Sequence, residues 1–242
     1  MKILIVNDDG FNAVALPLLI RWARKLGDVT CVVPKREQSG KSQAIDYLHP
    51  VEITEATIAE DIRVWVMDST PADCVRFGTS GLKTDYDLIL SGINRGYNLG
   101  NDIAYSGTVG AINEGGRLGI TAIALSCDPN GLEEAMEMLD HWWAFMNDKG
   151  LLIKGALYNV NFPRRPSSKG IRVTRQGGQF YSDAFEYRGD NMYMQVGAPV
   201  HRESCDLTVD IDAVFDGYIS VTPMAWQRMD PIAYESIKDM GE

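Results

Sequence analysis

The chain has 242 residues, 45% hydrophobic and 23% charged, enough for one large α/β domain with a substantial apolar core and unlike a disordered or fibrous composition. Its formal net charge of −10 disfavours a broad nucleic-acid or anionic-membrane surface, while permitting one small anionic ligand held by a metal and a few local donors. Cys31, Cys74, Cys127 and Cys205 are widely spaced with no C-x-x-C, which excludes a zinc ribbon or a dense disulfide framework and marks them as free thiols.

Met1-Lys2 leads directly into the apolar run Ile3 to Val6, which is too short for a signal-peptide core. It reads instead as a strand buried on both faces of a parallel sheet, ending abruptly in Asn7-Asp8-Asp9-Gly10. No window reaches the roughly 18 apolar residues of a membrane span, and the expected location is cytoplasmic. Ala13 to Leu26 reads as a helix with a basic end, stopped by Gly27, which Pro17 permits only if it falls in the first turn. Val29 to Val33 is a second β-branched run, followed by the polar loop Lys35 to Ser42. Val51 to Asp61 alternates weakly, as an edge strand or excursion would, and Arg63 to Met67 is a better strand. Ser69-Thr70-Pro71-Ala72-Asp73 starts a helix running to about Ser80.

Asp87 to Leu90 is a short buried strand exiting into Ser91-Gly92-Ile93-Asn94-Arg95-Gly96, and Tyr105 to Gly110 leads into a helix over Ala111 to Leu118. Thr121 to Ser126 is a strand, and Leu132 to Asp148 an amphipathic helix whose Trp142, Trp143 and Met146 stripe is core. From Leu157 the character turns β-rich. Leu157 to Phe162, Ile171 to Arg175, Met192 to Val196 and Tyr218 to Thr222 read as strands, Gly177 to Asn191 as a projecting hairpin or loop, and Pro231 to Met240 as a short terminal helix. The expected organisation is a catalytic core over residues 1–165 and, over 166–242, an extension for subunit contact, part of which packs back on the core.

Strand exits collect Asp8, Asp9, Ser39 and Asn94: two carboxylates, a hydroxyl and a carboxamide. All are oxygen donors, the ligand set of one hard divalent cation such as Mg²⁺ or Mn²⁺. Such an ion neutralises a phosphate monoester and lowers the pKa of a coordinated water, whose proton either Asp8 or Asp9 could take. Ser106, Gly107 and Thr108 sit where a helix N-terminus offers N–H and hydroxyl groups to phosphate oxygens, although Ser and Thr there can equally be simple caps. His49, His141 and His201 each lack a partner motif, and His141 lies on the amphipathic helix.

Other phosphate chemistries fit less well. Gly40-Lys41-Ser42 imitates the end of a P-loop, but that motif needs glycine where Lys35 stands; Lys41 is left as a substrate contact or a solvated charge. A dinucleotide fold wants G-x-G-x-x-G after the first strand, and Gly10 is followed by Asn12 and Ala15. An aspartyl-phosphate phosphatase of the haloacid dehalogenase type wants a second Asp two residues after the first, and Gly10 follows Asp8 there. That class is the runner-up, with a catalytically weak metal-dependent nucleotide-binding protein as the third reading.

The joint pattern resembles the SurE family of metal-dependent nucleotidases. It is carried by Asn7 to Gly10, Arg36-Glu37-Gln38-Ser39-Gly40, Thr70 to Val75, Ser91 to Gly96 with Asn98-Leu99-Gly100, Tyr105 to Gly110, Val173 to Gly177 and Gly217 to Pro223. The resemblance implies a Rossmann-like three-layer αβα core with a mostly parallel sheet and a C-terminal β-rich extension. It further implies metal-dependent hydrolysis of nucleoside monophosphates and, together with the extension, a homodimer or homotetramer; the acidic charge and the lack of a long apolar window leave no nucleic-acid polymer or membrane partner expected. By motif position the metal ligands are Asp8, Asp9, Ser39 and Asn94; the expected catalytic residues are Asp8, Asp9 and Asn94, and the expected phosphate or substrate contacts are Ser106, Gly107, Thr108, Asn98 and Lys41. The chain departs from the family pattern at Phe11-Asn12-Ala13-Val14-Ala15, at Gln38 and Lys41, and at Tyr97, where a small residue is usual.

Overall fold

The structure, a computed structural model, describes residues 1–58, 62–200 and 206–240. Cys205, His201 and the Asp61 end of the expected edge segment lie outside the described residues. Nine strands form one sheet in the order β3-β4-β2-β1-β5-β6-β7-β11-β8. These are β1 (Lys2–Val6), β2 (Asp28–Pro34), β3 (Ile53–Ile58), β4 (Ile62–Met67), β5 (Leu88–Arg95), β6 (Thr121–Cys127), β7 (Leu157–Phe162), β8 (Ile171–Val173) and β11 (Ile219–Met224). From β4 through β7 all neighbours pair in parallel, β3–β4 and β7–β11 are the antiparallel pairs, and β8 pairs in parallel with β11 at the far edge. The expected α/β architecture with a mostly parallel sheet is therefore present.

Side-chain alternation divides β1 between two cores. Ile3 and Ile5 pack with α1 (Ala15–Ala23) and α4 (Leu132–Asp148), whereas Leu4 and Val6 pack with α2 (Pro71–Arg76) and α3 (Gly107–Arg117). A strand apolar on both sides needs helices on both faces, which produces the three layers. Pro17 lies in the first turn of α1, where its missing N–H costs nothing. Fully buried Trp142 on α4 contacts the rings of Trp22, Trp143 and Phe162.

The chain leaves β1 to build β2 and β4 on one side, then returns to build β5, β6 and β7 on the other. The switch point lies between β1 and β5, and in open α/β sheets a crevice opens there at the strands' carboxyl ends. Beyond residue 166, β8, α5 (Asp210–Phe215) and β11 join the main body. By contrast, β9 (Ala184–Gly189) and β10 (Met192–Val196) form a separate exposed ribbon, and α6 (Pro231–Ile237) has no buried residue. Helix α5 was not expected from the sequence: six residues containing two aspartates give little periodicity to read. Among the described residues no helix is long and apolar enough to cross a membrane.

Candidate functional site

The turn after β1 is closed by Asn7, whose carboxamide donates to the Gly10 carbonyl at 3.0 Å and accepts the Gly10 N–H at 3.1 Å. Gly10 has φ +86°, and a Cβ there would lie 2.9 Å from the Arg36 carbonyl carbon, so the turn requires glycine. This geometry presents Asp8 and Asp9 at the switch point. Asp8 is buried, and Thr108 donates to it twice, from N–H to Oδ2 at 3.0 Å and from Oγ1 to Oδ1 at 2.5 Å. Burial raises the Asp8 pKa, with a further push from the Glu37 carboxylate, and the two Thr108 bonds only partly oppose this.

Asp9 is pushed up to about 6, first by burial and then by the charge of Asp8, against the Arg95 N–H that donates to it. Its Oδ2 is buried without a hydrogen-bond partner. An orphaned carboxylate oxygen beside a second, like-charged carboxylate is an unpaid electrostatic debt that a cation would settle. Asn94 follows a register shift between β5 and β6, which re-aims the strand end. Its Nδ2 donates to the Gly96 carbonyl at 2.8 Å, fixing the carboxamide with Oδ1 as the oxygen that could face a cation.

The loop after β2 is held to this edge by the Gln38 N–H, which donates to the Asp8 carbonyl at 2.7 Å. Exposed Ser39 donates from Oγ to Glu37 Oε1 at 2.8 Å, so the hydroxyl's lone pairs stay available. Among the described residues no three His, Cys, Asp or Glu side chains form a metal cage. The donor set is two carboxylates and two neutral oxygens, which fits a hard cation that keeps several waters.

Helix α3 starts at this same place. Ser106 is its N-cap, with Oγ accepting the Val109 N–H at 3.1 Å. Thr108 N–H goes to Asp8, and Gly110 N–H goes to the Ser106 carbonyl, so Gly107 N–H is the one donor of the first turn with no partner among the described residues. A Cβ on Gly107 would sit 2.9 Å from Asp8 Cβ and 3.1 Å from the Gln38 carbonyl oxygen; the glycine is what lets three loops meet.

The structure thus brings Asp8, Asp9, Ser39, Asn94, Ser106, Gly107 and Thr108 to one edge, but with unequal freedom. Thr108 spends both of its donors on Asp8. Asn98 is built into the frame: its Nδ2 donates to Ser126 Oγ at 2.8 Å, and its carbonyl accepts from Asn159 and Asn161, each at 2.9 Å. Lys41 is exposed on the loop. Tyr97 packs on Phe215 of α5 at 5.9 Å between ring centroids, and its hydroxyl accepts the Arg164 N–H. His141 is exposed on α4.

Sequence reading missed Glu37 and the backbone of Arg95 as neighbours of the aspartate pair. Glu37 could have been found from its place two residues before Ser39, whereas a backbone donor leaves no sequence signal. A cavity of about 880 Å³ around Thr84, Asp85 and Leu118 lies at the opposite, amino edge of the sheet and has no part in this chemistry.

Three comparisons bear on these residues. A family profile described as "Survival protein SurE" matches residues 3–183. The 5'-nucleotidase SurE of Thermosipho melanesiensis is 37% identical over 239 residues, covering 93% of this chain and 91% of that protein. The 5'-nucleotidase SurE of Paramagnetospirillum magneticum is 40% identical over 244 residues, covering 93% and 90%. The crystal structure of the SurE protein from Aquifex aeolicus covers 100% of both chains at 34% identity with a TM-score of 0.81.

Replacing Thr108 with Val keeps the shape and removes the hydroxyl donor from buried Asp8. Denaturant unfolding of the metal-free protein should show a loss of about 1.5–3 kcal/mol, the range for a hydrogen bond to a charged group. An unchanged midpoint would mean that Asp8 does not depend on Thr108.

Proposed function

The chain belongs to the SurE family, and from that premise we infer that it is a metal-dependent 5'-nucleotidase that hydrolyses nucleoside monophosphates to nucleoside and phosphate. The observation that carries the reading for this chain is the unpartnered, buried Asp9 Oδ2 beside Asp8. One divalent ion, Mg²⁺ or Mn²⁺, would be held by Asp8, Asp9, Ser39 and Asn94, the oxygen donors that three strand exits deliver to this edge. When bound, it supplies charge neutralisation for the phosphate dianion and acidifies a water.

The chain's own residues do the positioning. Gly107 N–H, pointing from the start of α3, and the Ser106 hydroxyl proton are free to bind phosphate oxygens, and the helix dipole adds positive potential there. Thr108 acts one step back, by fixing both oxygens of Asp8. The carboxamide of Asn94, clamped by Gly96, orients the ligand set from the β5 side. With Asp8 so engaged, its carboxylate is poorly placed to attack phosphorus, which argues against an aspartyl-phosphate route.

We place the subunit contact in residues 166–242. The β9–β10 ribbon exposes Phe185, Tyr187, Tyr193 and Met194, and α6 exposes Ile232 and Ile237, apolar side chains that a second copy of the chain would cover. Cys31, Cys74 and Cys127 are buried free thiols, which supports a reducing compartment such as the cytoplasm.

Metal-stripped protein should release no phosphate from nucleoside monophosphates until Mg²⁺ or Mn²⁺ is restored. Asp9→Asn should lower kcat/KM at least about 100-fold while leaving the melting temperature unchanged or higher, because it removes like-charge repulsion. Phosphate release without any ion, or unchanged activity in the variant, would contradict the reading. Separately, deleting Ala184 to Val196 should give a smaller species in sedimentation; an unchanged mass would move the contact elsewhere.

A further inference from the structure

The loop after β2 carries Ser39 at its tip, and the two ends of that tip are fixed by different elements. Upstream, the Gln38 N–H donates to the Asp8 carbonyl at 2.7 Å. The chain then turns twice with positive φ, at Gly40 (+73°) and at Ser42 (+53°). A serine in the left-handed region is unfavourable and persists where its surroundings hold it there. Among the described residues the Ser39 side chain bonds only to Glu37 of its own loop, so its place depends on what anchors the chain downstream.

That anchor is on α3. A Cβ on Gly110 would run into the Ser42 carbonyl, so the loop rests directly on the helix, and the Ser42 N–H donates to the Tyr105 carbonyl at 3.0 Å. One turn further along α3, Glu114 is only 2% exposed. Its Oε1 accepts Arg117 Nε and Nη2 at 2.9 and 2.7 Å and Arg76 Nη1 at 3.1 Å, and its Oε2 accepts Gln43 Nε2 at 3.1 Å. Burial works against its charge, but the bonds from Arg117 and Gln43 and the charges of both arginines hold its carboxyl below the usual glutamate range. It is thus an ionised acceptor pinned between the ends of α2 and α3.

Through Gln43 this rigid carboxylate reaches the loop four residues after Ser39. Beyond it, Thr70 Oγ1 donates to the Ala44 carbonyl at 2.6 Å, and the Asp46 N–H donates to Asp73 Oδ2 at 2.8 Å. Residues 42–46 therefore form a strap along α3 and α2, from which the bow 39–41 projects beside the aspartate pair. A shift of the strap would carry the Ser39 hydroxyl with it. We propose that Glu114 and Gln43 are positioning residues for the cation site: their bond sets the register of the loop after β2 and so holds Ser39 Oγ beside Asp8 and Asp9. Both act through Ser39. The proposal rests on the metal-dependent reading above.

The test is Mn²⁺ binding to metal-stripped protein without substrate, followed by the electron paramagnetic resonance of the free ion. Gln43→Leu keeps most of the side chain's bulk but cannot donate, and it should weaken Mn²⁺ binding about tenfold, the size of effect expected when a group that orients a ligand is lost. Stability is not the readout, since Glu114 Oε2 loses its donor in that variant whatever the loop does. Exchanging the pair, Gln43→Glu with Glu114→Gln, keeps the net charge and allows the same bond with donor and acceptor reversed. The exchanged pair should bind Mn²⁺ within about twofold of wild type. In the metal-free protein, hydrogen exchange at the Ser39 to Lys41 amides should quicken in Gln43→Leu and slow again in the exchanged pair. Unchanged affinity or unchanged exchange in Gln43→Leu, or an exchanged pair as weak as that single variant, would overturn the proposal. A wild type that binds no Mn²⁺ would instead strike down the cation reading, and this proposal with it.

Discussion

Two adjacent carboxylates at the end of a buried strand are the constraint on which the rest of this structure turns. At an effective dielectric constant near 20, two like charges ~5 Å apart repel by roughly 3 kcal/mol, a large share of a domain's net stability. The fold meets that cost unevenly. Asp8 receives two donors from Thr108, while Asp9 receives one backbone N–H and keeps Oδ2 buried and unpaired. Glu37 adds a third negative charge instead of relieving the first two. Such an arrangement is destabilised unless something positive completes it, which is the usual relation between an active centre and the scaffold that holds it.

The surrounding architecture serves that pair. Parallel strands on either side of β1 bring the β2 and β5 exits to the same edge, and the reversal of strand order opens the crevice between them. Close approach is then a matter of missing side chains: Gly10 against Arg36 and Gly107 against Asp8 and Gln38. Farther out, Asp210 accepts the N–H groups of Gly100 and Gly177 at 3.0 and 2.8 Å, joining the extension to the loop that leads into Ser106. The extension is therefore tied to the site.

Much of this was legible in the sequence, for physical reasons that differ along the chain. Buried parallel strands are short apolar runs, so Ile3 to Val6 and Leu157 to Phe162 announce themselves, and the three-four stripe of α4 gives its bounds directly. That Asp8, Asp9, Ser39 and Asn94 share one edge was readable because strand exits in a parallel sheet do so. Hydrogen-bond commitments were not. Nothing in the string says that Thr108 turns inward to Asp8, or that the Asn98 side chain is spent on Ser126, because both bonds join residues far apart in sequence. The β5 strand runs to Arg95, past the expected Leu90, since an irregular register carries it through Gly92, where a Cβ would meet the Leu125 carbonyl oxygen at 2.3 Å. Tyr97, a departure from the usual pattern, is explained by its packing on Phe215, part of a helix that the sequence did not reveal.

The central claim is that the unsatisfied aspartate pair is a divalent-cation site. Anomalous diffraction from crystals grown with Mn²⁺ tests it most directly. The account predicts a single strong peak bounded by the Asp8 and Asp9 carboxylates, Ser39 Oγ and Asn94 Oδ1, and its loss in crystals of Asp9→Asn. A peak that lies away from Asp9, or one that persists at full height in the variant, would contradict it.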